Sequence, residues 1–134
     1  MDVFLTREAR ADLEALGILR LARGTWGFLL GHERGFRFYV EKAYPVGSSG
    51  VPSAVRVDEL GRLWEGKVIG VFAFHPAAAF KKDLLGPAFF GKLYLEIETT
   101  GGRTQIKPSI VEYDGKFRLS SISMESIPKE RGRD

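Results

Sequence analysis

The stretch Val68-Ile69-Gly70-Val71-Phe72-Ala73-Phe74-His75-Pro76 decides how this chain is read. An uncharged apolar run of this length has the continuous character of a central strand covered on both faces. It ends abruptly in His75-Pro76, so the strand delivers an imidazole to a loop at its end. A histidine there invites metal chemistry, but a hydrolytic zinc site usually needs three ligands drawn from His, Cys, Asp and Glu, plus an open position for water. The chain has no cysteine and one other histidine, His32.

Outward from that strand, the pattern supplies the other elements. Thr6 is placed to cap a helix over 7–22, with Ala9, Leu13 and Leu16 on one face and Glu8 in the first turn. Strands are expected over 25–30 and 36–43, joined by a short connection at 31–35, with Phe36, Phe38 and Val40 on the core face. Residues 44–53, rich in proline, glycine and serine, read as a loop. A short helix is expected over 57–65, then the apolar strand over 67–74. After a mobile-looking region interrupted by Gly86, Pro87 and Gly91, strands over 93–99, 103–113 and 116–123 form a meander. Gly101-Gly102 and Asp114-Gly115 supply its turns.

Composition narrows the function. The 134 residues suit one domain, expected over 1–126, with a polar, frayed tail over 127–134. The formal charge of +3 is evenly spread, with ten basic and nine acidic side chains in 1–67 and ten and eight in 68–134. That is a mixed surface, so no nucleic-acid partner is expected. No run approaches a membrane span and the N-terminus lacks the layout of a signal peptide. With no cysteine to oxidise, the expected location is cytoplasmic.

The order of these motifs resembles the JAB/MPN domain, the JAMM metalloprotease fold of deubiquitinating and related isopeptidases. Gly27-Phe28-Leu29-Leu30-Gly31 is similar to the family's Gly-x-Leu-x-Gly strand. Pro52-Ser53-Ala54 resembles its middle segment, Gly70 to Pro76 its His-x-His-Pro strand, and Leu93 to Ile97 the core strand that follows. The resemblance implies an α/β fold, a cytidine-deaminase-like sandwich with a central mixed sheet flanked by helices. It also implies two histidines and an aspartate on zinc, with a glutamate as base. Carried over, the ligand positions fall on Ala73, His75 and Gly86, the family's serine on Asp83, and the base on Gly24.

Those five positions therefore read as a vestigial site with no metal or other cofactor, in a degenerate, catalytically inactive member. The function expected is a protein-interaction or scaffold module, with a protein partner or a homodimer and no membrane. Two alternatives stay open. One is a metallohydrolase with a rearranged site using His75 and Asp83, with Glu33 or Glu41 assisting. The other is small-molecule or peptide binding in the vacated cleft. His32 is a poor ligand candidate, since eight extended residues put it roughly 26 Å from Gly24 at ~3.3 Å per residue.

Each residue also has a plainer reading. His75 can be a strand-end histidine bonded to backbone, Asp83 a helix cap or a partner of Lys81 or Lys82, and Ser120, Ser121, Ser123 and Ser126 simple strand and loop polarity. Phe80, Phe89 and Phe90, set among Gly86, Pro87 and Gly91, form the candidate interaction surface; the competing reading places them in the core.

Overall fold

In a computed structural model, residues 1–18, 25–47, 67–100 and 103–124 are described. The apolar run forms strand β4 (Val68–Phe74), and every one of its residues is buried. Its neighbours are β2 (Trp26–Arg34), antiparallel, and β5 (Leu93–Thr100), parallel. A parallel neighbour requires a crossover, and residues 75–92 supply it, with helix α2 (Ala78–Asp83) and a 3-10 turn (Pro87–Phe89).

The remaining strands extend the sheet both ways. β1 (Asp2–Leu5) pairs in parallel with β3 (Arg37–Gly47), which forms a hairpin with β2. β6 (Arg103–Tyr113) and β7 (Phe117–Ser121) continue from β5 as an antiparallel meander. β8 (Ser123–Met124) then pairs in parallel with β1. The order is β7-β6-β5-β4-β2-β3-β1-β8. The two terminal strands of this eight-stranded sheet are consecutive in the chain, separated by Ile122 alone. The sheet therefore curls until its ends nearly meet.

This corrects the expected α/β sandwich. The described residues are 59% strand, in a nearly closed mixed barrel with two α-helices, and the JAB/MPN-like sandwich flanked by helices is not formed. Register shifts in β2 against β3 between Trp26 and Gly27 and between Leu30 and Gly31, and against β4 between Leu29 and Leu30, add local twist and help it curl. The Gly27–Gly31 pair has a cause in this pairing. A Cβ on Gly27 would lie 2.1 Å from the Tyr44 carbonyl oxygen, and one on Gly31 1.9 Å from that of Tyr39. Only glycine lets the strands approach so closely there.

Two apolar clusters hold the curl. The inner one takes Val3, Leu5, Leu29, Phe38, Val40, Phe72, Phe74, Leu95 and Ile97, with Ile110 from β6. Helix α1 (Arg7–Ile18) lays Ala9 and Leu13 on it, and its N-terminus is capped as its sequence predicts: the Ala9 N–H donates to Thr6 Oγ1 at 3.1 Å. The outer cluster covers Val71, Ala73 and Tyr94 with Trp26, Phe28, Phe80, Leu84, Phe89 and Val111. β4 is thus sealed on both faces, Phe72 and Phe74 inward, Val71 and Ala73 outward.

The β2–β3 hairpin differs from its expected form. Both strands run on to a tight turn at Gly35-Phe36, with Gly35 at φ +60°. Phe36 therefore stands in the turn at 81% exposure, not on the core face. The expected loop begins later than 44, because Tyr44, Pro45, Val46 and Gly47 continue β3; Pro45 lies past the end of β1, where its missing N–H is not needed. The helix expected over 57–65, the end of the first helix beyond Ile18, and the tail over 127–134 lie outside the described residues.

Candidate functional site

His75 follows β4 directly, as the apolar run requires, and its backbone takes φ +45°. That left-handed conformation is uncommon outside glycine, though histidine adopts it more readily than most residues. Three contacts hold it. The His75 N–H donates to the Ile97 carbonyl at 2.9 Å, the Thr99 N–H donates to His75 Nε2 at 3.2 Å, and Thr99 Oγ1 lies 3.1 Å from the same nitrogen. A backbone N–H can only donate, so Nε2 accepts and the ring proton sits on Nδ1. In this arrangement neither ring nitrogen presents a lone pair to a metal, and His75 ties the end of β4 to the end of β5.

The other expected site positions do not converge on it. Ala73 is fully buried in the cluster that also holds Phe80, so the space expected to form a vacated cleft is packed. Asp83 is exposed at the end of α2, and Gly86 is partly exposed, with nothing within 4 Å of where a Cβ would stand. Gly24 lies outside the described residues. Lys81 pairs with Glu96 at 3.3 Å, and Glu96 sits beside Ala73 in the β4–β5 ladder. Among the described residues, no group of three or more His, Cys, Asp or Glu side chains could hold a metal ion.

The aromatic surface divides. Phe80 and Phe89 belong to the outer cluster, so that part of the expected interaction surface is core. The signal was present: Phe80 in α2 and Leu84, which caps its C-terminus, are four apart, and both are buried. Phe90 turns the other way, at 58% exposure. Gly91, at φ +76°, donates its N–H to the Val111 carbonyl at 2.8 Å, and the Val111 N–H donates to Lys92 O at 3.1 Å. Both Gly91 and Lys92 thus stand opposite Val111, a bulge that ends the β5–β6 ladder. Phe90 sits in the turn closed by the Lys92 N–H on Phe89 O at 2.9 Å, at the same end of the sheet as Tyr113, itself 57% exposed. Tyr113 packs on Phe117 with ring centroids 4.9 Å apart. Tyr113 and Phe117 therefore form an aromatic pair where β6 ends and β7 begins, and Phe90 stands exposed at that same end of the sheet, just before β5; together they make an aromatic corner.

A second group, on the outer face of β1–β3, escaped the sequence reading. His32 stacks on Tyr39 at 5.0 Å and 11°, Phe4 lies 5.9 Å from the same ring, and the Arg34 and Arg37 guanidiniums stand 5.6 and 6.0 Å from its centroid. Alternation in β3 placed Arg37, Tyr39 and Glu41 on the wetter face, but the register that brings His32 and Arg34 across to them needs the turn at Gly35-Phe36. Much of its charge is internally answered. Arg37 grips the Asp2 carboxylate through two bonds of 2.9 Å, and His32 Nδ1 lies 3.4 Å from Glu41 Oε2. The Arg37 hydrogen bond holds the Asp2 carboxyl below its ordinary pKa. His32 sits at the far end of β2 from Thr25, whose carbonyl accepts the Phe74 N–H beside His75.

Comparison with known proteins supports the barrel. The chain is similar to the solution structure of protein DSY2949 from Desulfitobacterium hafniense, with a TM-score of 0.63 and 19% identity, covering 98% of this chain and 99% of that one. It is also similar to the solution structure of a protein from Salinibacter ruber, with a TM-score of 0.58 and 15% identity, covering 91% of each. Both likenesses show the fold alone. No family model matches the chain, and no curated protein matches it. The JAB/MPN resemblance is thereby overturned: these neighbours are small β-barrel-like proteins, and the short motifs that carried it have local causes in this barrel. Among the described residues, no helix is long and apolar enough to cross a membrane.

Proposed function

We propose that this protein is a binding module for other proteins, docking through the corner formed by Phe90, Tyr113 and Phe117. The observation that carries the reading is the exposure of Phe90 and Tyr113 at one end of the sheet, where Tyr113 packs on the partly buried Phe117. Large aromatics grouped at the end of a sheet are what protein partners use as anchors, and they give little to the stability of the chain that displays them. The mixed charge of the chain argues for a protein rather than a nucleic acid, and the absence of cysteine suits the cytoplasm as its setting.

A photo-cross-linking side chain at position 90 tests this in cells making the protein at its natural level. It is expected to give discrete protein adducts that Tyr113→Asp removes. The same cross-linker at the still more exposed Phe36 should not give those adducts. Identical adduct patterns from positions 90 and 36, indifferent to Tyr113→Asp, would contradict the reading.

A further inference from the structure

On the outer face of β1–β3 the charges are unevenly answered. Arg34 and Arg37 are register partners, so two guanidiniums face each other across the β2–β3 ladder, which is unfavourable for like charges. Arg37 is gripped by the Asp2 carboxylate. Arg34 is exposed and rests against the Tyr39 ring; among the described residues its guanidinium has no carboxylate and no hydrogen-bond partner. His32 also keeps one group free. Its Nδ1 lies 3.4 Å from Glu41 Oε2, and a carboxylate can only accept, so Nδ1 carries the ring proton and Nε2 offers a lone pair. That Nε2 has no hydrogen-bond partner among the described residues. β2 flanks β3 on one side and β1 on the other, so His32 and Arg34 approach the Tyr39 ring from one side and Phe4 from the opposite one. Two residues apart on one face of β2, His32 and Arg34 are separated by about 6.8 Å along the strand. One phosphate with a hydrogen bond on each side can span that distance.

We propose that Arg34 and His32 bind the phosphate group of a small phosphate monoester beside the Tyr39 ring. The chemistry of the two free groups selects this ligand. A guanidinium takes two oxygens of an anion side by side. A carboxylate then has no third oxygen for His32, whereas a phosphate monoester does. Nε2 also needs a hydrogen. The second proton of a phosphate monoester leaves at about pH 6, so near neutrality part of the ligand still carries an O–H that can donate to Nε2. A sulfate ester carries none. The bound anion offsets the opposed charges of Arg34 and Arg37 as well. What flanks the pair limits the size of the ligand. Asp2 stands beyond Arg37 and Glu41 beside His32, so a run of phosphates or acidic side chains meets carboxylates while one isolated phosphate does not. The site is built on β2 and β3, apart from the corner at β5–β7, and either can fail without the other.

Phenyl phosphate titrated into the full chain near neutral pH, followed through the backbone amides by NMR, tests the proposal. Saturable shifts should centre on His32, Arg34 and Tyr39, with phenyl sulfate and benzoate binding several-fold more weakly. Arg34→Gln should weaken phenyl phosphate binding by roughly tenfold or more, as the loss of a charge-assisted pair does. Arg34→Lys keeps the charge without the fork and should recover only part of that loss. His32→Phe keeps a ring to stack on Tyr39 but removes both nitrogens, so it should abolish the preference for phosphate over sulfate. Amide shifts that stay native away from the site show that each variant is folded.

Shifts that do not saturate at millimolar ligand would overturn the proposal, as would equal binding of phosphate, sulfate and benzoate. Binding that Arg34→Gln leaves intact would overturn it too. Glycerol phosphate should bind at least as tightly as a phosphoserine peptide; a peptide that binds more tightly would overturn the assignment to a small ligand.

Discussion

Tyr94 shows how the core of this barrel tolerates an unsatisfied group. Its ring lies in the outer cluster near Phe80, at a centroid distance of 6.3 Å, and its hydroxyl is buried with no hydrogen-bond partner among the described residues. Burial, and then the nearby Glu96 charge, hold this phenol far above its ordinary pKa, so it stays protonated. A buried hydroxyl with no partner has lost its water and gained nothing. Tyr94→Phe is therefore expected to leave stability unchanged or raise it by about 1 kcal/mol in urea unfolding; a loss of that size would mean the hydroxyl has a partner. Asp2 behaves in the opposite way. Its folded pKa is lowered by the Arg37 hydrogen bond, so its contribution is present above the unfolded carboxyl value and is lost as pH falls through the folded one. The stability difference between wild type and Asp2→Asn should be flat above about pH 5 and vanish on acidification below about pH 4. Because the pair is partly exposed, the difference is small and shrinks with salt. A difference independent of pH would contradict this.

At the scale of elements, the crossover from β4 to β5 separates core from surface between neighbouring residues. Phe89 is sealed under the outer cluster, while Phe90 faces solvent. Phe89→Asp buries a carboxylate without a partner and is expected to unfold the protein or cost it several kcal/mol, about 3–5 by analogy with losing a buried charge partner. Phe90→Asp should change stability by no more than about 0.5 kcal/mol, as exposed substitutions do. Chemical denaturation of the two variants side by side checks the division, and equal losses would place Phe90 in the core. β4, the helix cap at Thr6 and the strand over 103–113 were legible in the sequence, because period, capping chemistry and turn residues are local signals. The burial of Phe80 and Phe89 was legible only as the competing reading to an interaction surface, although the spacing of Phe80 and Leu84 carried part of it. The short α2 offers little period to read, and proline and glycine nearby suggested exposure.

At the scale of the molecule, the curl of the sheet could not be read from pattern. Nothing in the alternation of β7 or β8 says that consecutive strands end up on opposite edges; that depends on register shifts and on the Val3–Met124 and Asp2–Ser123 pairing. The family resemblance went astray for a related reason. Glycines at 27 and 31 meet carbonyls across the strand pair, and His75-Pro76 is the way out of β4, so the barrel itself demands residues that elsewhere mark a metalloprotease. The aromatic corner also arises only in three dimensions, because β5 begins, β6 ends and β7 begins at one end of the sheet, which brings Phe90 to the same end as the Tyr113–Phe117 pair. Its occupation by a partner is the centre of this account. Hydroxyl-radical footprinting, comparing the protein in its own cells with the dilute purified chain, tests it most directly. Phe90 and Tyr113 should be oxidised several-fold less in the cell, while Phe36 is oxidised equally in both. Equal oxidation of Phe90 and Tyr113 in the two settings would contradict the account.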